Sequence, residues 1–262
     1  MIFGRKGKKR EETQQQDDSL FGSQMTFAAK EAYKLLRTNL MFSLPEQEEG
    51  RARIIGVTSS LQSEGKSTTT VNLARTLAEQ GERVLIVEGD LRLPTMHKKL
   101  KIYPKPGLSN ILATRVEPAP YIQQVEVGTI GDLAITFDVL VAGDIPPNPS
   151  ELIGSNRMKR RLEQLARNYH FILIDLPPIT AVTDALVATK LLDGVIMVVR
   201  SDFADTSSLQ EAVRQIRLVG GKILGFVFTY AHSGKSGYRR KYKYKYKYKY
   251  DYGYDREKRE KK

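Results

Sequence analysis

The sequence predicts an α/β domain: a mostly parallel sheet with helices on both faces. Short runs that are nearly continuous in Val, Ile and Leu recur along the chain, the composition of strands covered on both faces. Between most of them lie stretches whose apolar residues repeat at helical spacing. A third observation, a Gly-Lys-Ser loop between the first such run and the helix after it, marks the end of the sheet where a ligand would bind.

Taken in order, a polar start covering residues 1–24 gives way to TFAAKEAYKLLRTNLMFSL (26–44), a helical pattern that ends before Pro45. Strands are expected at RIIGVT (53–58), RVLIVEGD (83–90), LAITFDVLVAG (133–143), FILIDLPP (171–178), GVIMVVRS (194–201) and KILGFVFTY (222–230). Helices are expected at KSTTTVNLARTLAEQ (66–80), PSELIGSNRMKRRLEQLARNY (149–169) and SSLQEAVRQIRLV (207–219). This places one domain over residues 25–232, followed by a segment of different character at 233–262.

That last segment contains GYRRKYKYKYKYKYDYGYD, which holds eight of the chain's 13 tyrosines: Tyr238, Tyr242, Tyr244, Tyr246, Tyr248, Tyr250, Tyr252 and Tyr254. As a strand it would align five lysines on one face, where like charges repel, with no apolar partner for the tyrosines. Its composition instead predicts a disordered tail. The charge is concentrated there too. From Lys235 onward thirteen Lys or Arg face four acids, a net +9, which leaves only +3 of the chain's +12 upstream. The basic pI therefore describes the tail and not the surface of the domain.

The chain has no cysteine, which excludes disulfides, thiolate chemistry and Cys-ligated zinc, and its three histidines form no ligand spacing. The N-terminus lacks the apolar core of a signal peptide, and no apolar run approaches the roughly 18 residues of a membrane span. A soluble protein is the expectation.

The chemistry gathers at the predicted strand ends. SLQSEGKST (60–68) fits the phosphate-loop pattern G-x4-G-K-[ST], except that Ser60 stands at the first glycine. In such a loop, residues Ser60, Gln62, Ser63, Glu64, Gly65, Lys66, Ser67 and Thr68 wrap a polyphosphate; Lys66 reaches its β and γ phosphates, and the Ser67 hydroxyl is a ligand for Mg²⁺. Taken alone the pattern recurs by chance, and Lys66 could simply open an exposed helix; its position between a buried strand and an amphipathic helix favours the nucleotide site. Asp175 closes one strand, and Glu88 and Asp90 close another with Arg92 just beyond. A single carboxylate after an apolar strand reads as a helix cap or turn residue. Three of them on neighbouring strands beside a phosphate loop describe a Mg·ATP site, with Asp90 and Asp175 available to the metal and a carboxylate left to activate a hydroxyl or a water.

At this point the chain resembles the bacterial tyrosine kinases of exopolysaccharide and capsule synthesis (BY-kinases). The likeness rests on EAYKLLRTNLMF, TSSLQSEGKST, VLIVEGDLRLP, LVAGDIPPNPSELIGS, FILIDLPPITAVTDA, DGVIMVVR and the tyrosine-rich tail. It implies a P-loop NTPase fold and an ATP- and Mg²⁺-dependent autokinase whose tail tyrosines accept phosphate between subunits of a ring. In that likeness Glu88 and Asp90 form the Walker A′ motif and Asp175 is Walker B, with Lys66, Glu88, Asp90 and Arg92 as catalytic candidates. It further implies a separate membrane-spanning activator of the polysaccharide chain-length type that recruits a cytoplasmic kinase to the inner face of the membrane, a phosphatase that resets the tail, and no nucleic-acid partner. Glu31, Lys34 and Arg37 occupy an oligomerisation motif, whose bland reading is ordinary i,i+3 pairing on a helix.

Three departures stand out: Glu88 where the family has Asp, Lys34 where it has Arg, and Thr229 where Asn often follows the last strand. A competing reading is a partitioning-type ATPase whose basic tail adheres to anionic membrane or nucleic acid. A third is a paralogue with a dead site, suggested by Glu88.

Overall fold

The computed structural model describes residues 25–44, 50–114 and 116–231; the eight tail tyrosines and the polar start lie outside them. Residues up to Thr229 form one compact unit, and Tyr230 and Ala231 are the described part of a second.

Helix α1 (Phe27–Ser43) begins at Thr26, whose hydroxyl accepts the Ala29 N–H. Strand β1 (Arg53–Ser59) leads through the Gly-Lys-Ser loop into α2 (Lys66–Ala78). Then come β2 (Val84–Glu88), the short helices α3 (Met96–Leu100) and α4 (Leu108–Ala113), and the pair β3 (Gln123–Ile130) and β4 (Leu133–Leu140). Helices α5 (Pro149–Ile153) and α6 (Asn156–Leu165) precede β5 (Phe171–Asp175), α7 (Asp184–Ala188), β6 (Gly194–Arg200), α8 (Thr206–Leu218) and β7 (Ile223–Thr229).

The seven strands lie in the order β3-β4-β2-β5-β1-β6-β7, all parallel except β3. Alternation along the central strands explains their unbroken apolar sequence. In β5, Ile172 and Ile174 enter one core with α4, α6 and α8, while Phe171 and Leu173 enter the other with α1 and α2. Strand β2 divides the same way, Leu85 and Val87 against Val84 and Ile86. The order also sets β2, β5 and β1 side by side, so the strand that carries Asp175 lies between the strand that carries Glu88 and the one that feeds the phosphate loop.

Several elements depart from expectation. The helix expected at 149–169 is two, interrupted at Gly154; Ser155 caps the second by accepting the Met158 N–H at 3.2 Å. The strand expected at 133–143 ends at Leu140 and has an antiparallel partner, β3, which the sequence reading lacked. The two are joined by the two-residue turn Gly131-Asp132 with Gly131 at φ +59°. Strand β2 stops at Glu88, so strand alternation does not extend to Asp90. Among the described residues no helix is long and apolar enough to cross a membrane.

Leu173, fully buried at the centre of the sheet, has no room for compensating collapse. Leu173→Ala is expected to cost about 2–5 kcal/mol, read as a lower urea midpoint at unchanged slope.

Candidate active site

The loop at residues 60–65 is held by side chains of its own and by both flanking strands. Ser60 is buried and has no need of a glycine's freedom: the left-handed positions of the loop are Ser63 (φ 64°) and Gly65 (φ 95°). The Ser60 hydroxyl donates to Glu64 Oε2 at 2.9 Å, and the same oxygen accepts the Leu61 N–H at 2.6 Å. Glu64 Oε1 accepts the Arg200 N–H at the end of β6, 3.2 Å away. The fully buried Glu64 carboxylate is thus turned inward as a brace. Facing a phosphate it would repel it, so at this position only the backbone is available to a nucleotide. Thr180 donates its hydroxyl to the Ser60 carbonyl at 2.6 Å, tying the loop to the segment after β5. Gln62 and Ser63 are exposed at the loop's crest, and Ser67 and Thr68 follow in the first turn of α2.

Thr229, the last residue of β7, donates its hydroxyl to the Glu64 carbonyl at 2.7 Å. A Cβ placed on Gly65 would lie 3.3 Å from the Thr229 methyl. This residue therefore supports the phosphate loop, and its hydroxyl is committed there and not to a base.

Lys66 begins α2 and is only 8% exposed. Its ammonium is an electrostatic partner of both Asp175 and Asp90. Asp175, at the carboxyl end of β5, is buried; one oxygen is hydrogen-bonded by the Ser67 hydroxyl, while Oδ1 has no hydrogen-bond partner. Burial pushes its carboxyl up to about 6, with Glu88 and Asp90 adding to the rise and Lys66 and Ser67 opposing it. Burial likewise raises the Asp90 carboxyl, against the pull of the Leu93 and Arg92 backbone N–H groups and Lys66.

A buried carboxylate oxygen without a donor, beside a serine hydroxyl and a second acid, fits a divalent cation. Among the described residues no three Asp, Glu, His or Cys side chains are grouped to hold a metal by themselves. The protein can supply Ser67 and Asp175 to the metal with Asp90 beside them, leaving the remaining positions to phosphate oxygens and water, as Mg²⁺ prefers.

Glu88 lies in a different setting from Asp90. It does not stand beside Asp90 as a second free carboxylate. Its Oε1 accepts the Thr95 and Met96 N–H groups at 2.6 and 2.7 Å, and its Oε2 accepts the Ala142 N–H at 3.0 Å. The extra methylene relative to Asp is spent on reaching these donors, and the buried side chain anchors the loop that carries Asp90. Gly89 allows that loop to touch β5: its N–H donates to the Asp175 carbonyl at 2.8 Å, and an added Cβ would meet Ile174 Cγ2 at 3.0 Å.

Arg92 is also committed. Its Nε donates to Asp184 Oδ2 at 2.9 Å and its Nη2 to Asp184 Oδ1 at 3.0 Å. Asp184 and its neighbour Ser150 had no place in the sequence reading, although both lie in segments that carried the family resemblance. On α1, Lys34 Nζ pairs with Glu31 at 2.8 Å within the helix, and Arg37 Nη1 donates to the Thr76 carbonyl of α2 at 2.7 Å.

Residues 52–223 match the family model of an AAA domain. The putative tyrosine-protein kinase CapB of Staphylococcus aureus is 34% identical over 197 residues, covering 75% of this chain and 82% of CapB. The tyrosine-protein kinase YwqD of Bacillus subtilis (strain 168) is 33% identical over 197 residues, covering 75% and 79%. The kinase domain of the Escherichia coli tyrosine kinase Etk superposes with a TM-score of 0.68 at 30% identity, covering 79% of each chain. The chain belongs to the bacterial tyrosine kinase family. The match to full-length Etk spans 26% of that longer protein, so this BY-kinase corresponds to its kinase portion.

In this BY-kinase the perturbed Asp175 carboxylate carries a sign that can be tested without substrate. Asp175 binds its proton more tightly folded (about 6) than at the ordinary value of 3.8, so the metal-free chain loses stability as pH rises from about 4 through 6. Asp175→Asn is expected to stabilise the metal-free chain at pH 7 by about 1–3 kcal/mol while removing most Mg²⁺-dependent activity; thermal melts in chelator and kinase assays check the two halves. For Thr229→Val, the expected result is a nucleotide affinity weakened by no more than about tenfold with an unchanged ratio of ATP to GTP affinity, measured by competition with a fluorescent nucleotide.

Proposed function

We propose that this BY-kinase transfers the γ-phosphoryl group of Mg·ATP to the tyrosines of its own C-terminal segment, Tyr238 to Tyr254, acting between subunits. The observation that carries the reading is the buried, donorless Asp175 Oδ1 next to Lys66, Ser67 and Asp90 at the mouth of the phosphate loop. Ser67 and Asp175 would hold Mg²⁺ there, and the ion would supply positive charge against the negative charge that develops during transfer.

The chain's own groups perform the remaining work. Lys66 and the first-turn amides of α2 bind the β and γ phosphates, and the inward-facing Glu64 leaves them unopposed. Asp90, partly exposed and not consumed by side-chain pairing, accepts the proton of the tyrosine hydroxyl as that oxygen bonds to phosphorus and the bond from γ-phosphorus to the bridging oxygen breaks, releasing ADP. Glu88 and Arg92 hold the loop from which Asp90 acts.

Association into a homo-oligomer is supported by the surface of α1, where Leu35, Met41 and Phe42 are 46%, 46% and 86% exposed. The Glu31–Lys34 pair lies on the same helix and would border such a contact. Full phosphorylation would add roughly −12 to −16 to a tail that starts near +9, reversing its charge and weakening any contact it makes with an acidic surface. In this proposal the kinase acts in the cell as a switch in exopolysaccharide or capsule synthesis, recruited to the membrane by a separate activator and reset by a phosphatase.

Incubation of the purified chain with Mg·ATP is expected to yield phosphotyrosine, with Lys66→Met lowering the rate by about 10²–10³. Removing residues 237–262 should abolish most phosphotyrosine and spare nucleotide binding; persistent labelling of the shortened chain would overturn the acceptor assignment.

A further inference from the structure

We infer that Asp184, acting through Arg92, is a positioning residue for Asp90 in phosphoryl transfer; the inference rests on the kinase reading above. Asp184 is the first residue of α7 and is fully buried. Both its oxygens receive the Arg92 guanidinium in a fork, the bidentate geometry that fixes a planar group in orientation as well as place. Ser150, on α5, adds its hydroxyl to Asp184 Oδ1 and is itself 3.3 Å from Arg92 Nη2 and from the Thr183 hydroxyl. Three separate segments thus meet on one buried carboxylate.

Arg92 passes this constraint on through its backbone. The Asp90 carboxylate accepts the Leu93 N–H at 3.1 Å and is also bonded by the Arg92 N–H. Fixing the Arg92 side chain therefore fixes the two amides that aim Asp90, while Glu88 fixes the far side of the same loop at Thr95 and Met96. The hydrogen bonds of Asp184 go to Arg92 and Ser150, not to the phosphate loop or Ser67. Its effect should fall on the reacting geometry and leave nucleotide binding intact, since a displacement of about 1 Å at a reacting group costs up to about a hundredfold in rate.

The test uses the full chain with the Lys66→Met chain as acceptor, and measures the initial rate of phosphotyrosine formation at saturating Mg·ATP, the KM for ATP, the affinity for a fluorescent ADP analogue and the melting temperature. For Asp184→Asn, which keeps an acceptor for Ser150 but loses the charge that holds Arg92, kcat is expected to fall on the order of ten- to a hundredfold with KM and ADP affinity within about threefold of wild type. Arg92→Lys, which keeps the charge and loses the fork, should give the same pattern, and the double variant should be no worse than the more affected single one. A kcat near wild type in either variant overturns the inference, as does a fall matched by an equal loss of nucleotide affinity. Should Asp184→Asn fail to fold, Arg92→Lys decides alone. Absence of phosphotyrosine in the wild-type chain would instead refute the kinase reading, so the two failures are distinguishable.

Discussion

The structure is organised around a carboxylate placed where burial disfavours its charge. Asp175 ends the central strand of the sheet, is sealed from water and has one oxygen that no donor reaches. Such a group holds its proton more tightly than a solvated carboxyl, and its raised pKa is the thermodynamic record of that burial. Lys66 relieves the charge only in part. What completes the site electrostatically is a dication with its phosphate load. The position of Asp175 is set by the register of β5 between β1 and β2, with Val57 opposite it on one side and Glu88 on the other. The order of strands, more than any loop, brings Lys66 and the acids together.

Five buried or partly buried acids lie in the phosphate loop, at the ends of β2 and β5, after β2 and at the start of α7, and their hydrogen bonds separate them into two kinds. Glu64, Glu88 and Asp184 each have both oxygens engaged, by backbone amides, a hydroxyl or a guanidinium. Saturated in this way, a carboxylate is a structural pin: a change there breaks a frame without removing a reactive group. Asp175 retains an oxygen without a donor, and Asp90 is held by backbone N–H groups while open to solvent on one side. These two have capacity left for a metal or a proton. The division follows from counting donors, and by that count Glu88 falls with Glu64 and Asp184.

Much of this was legible in the sequence because it is local. Strand composition gave six of the seven strands, and the strand-loop-helix setting of Lys66 identified the phosphate loop despite Ser60. Strand β3 escaped because QQVEVGTI carries only three strongly apolar residues, as befits an outer strand whose residues are mostly half-exposed or exposed. The break at Gly154 was hidden by an otherwise continuous helical pattern. The inward turn of Glu64 was not readable, since its partner Arg200 lies 136 residues away. The same holds for Asp184, whose fork to Arg92 spans 92 residues and whose local sequence, VTDA, looks like any helix start. Periodicity reports which face a residue occupies; it carries no information on which distant donor will meet a given oxygen.

Phosphoryl transfer asks little covalent chemistry of a protein and much positioning. The segment from Gly89 to Met96 shows how this sheet meets that demand. It is fastened to β5 at Gly89, to Glu88 at Thr95 and Met96, and to α7 through Arg92. A loop of that length held at three points by buried groups has little freedom to let Asp90 wander, and the entropy of ordering it is met during folding. The cost is borne by burying Glu88 and Asp184 as charges, which is tolerable only because each is saturated with donors. Any substitution that unfastens one of these points should therefore disturb the reaction more than the affinity for nucleotide, since the phosphate loop is braced independently by Glu64, Thr180 and Thr229.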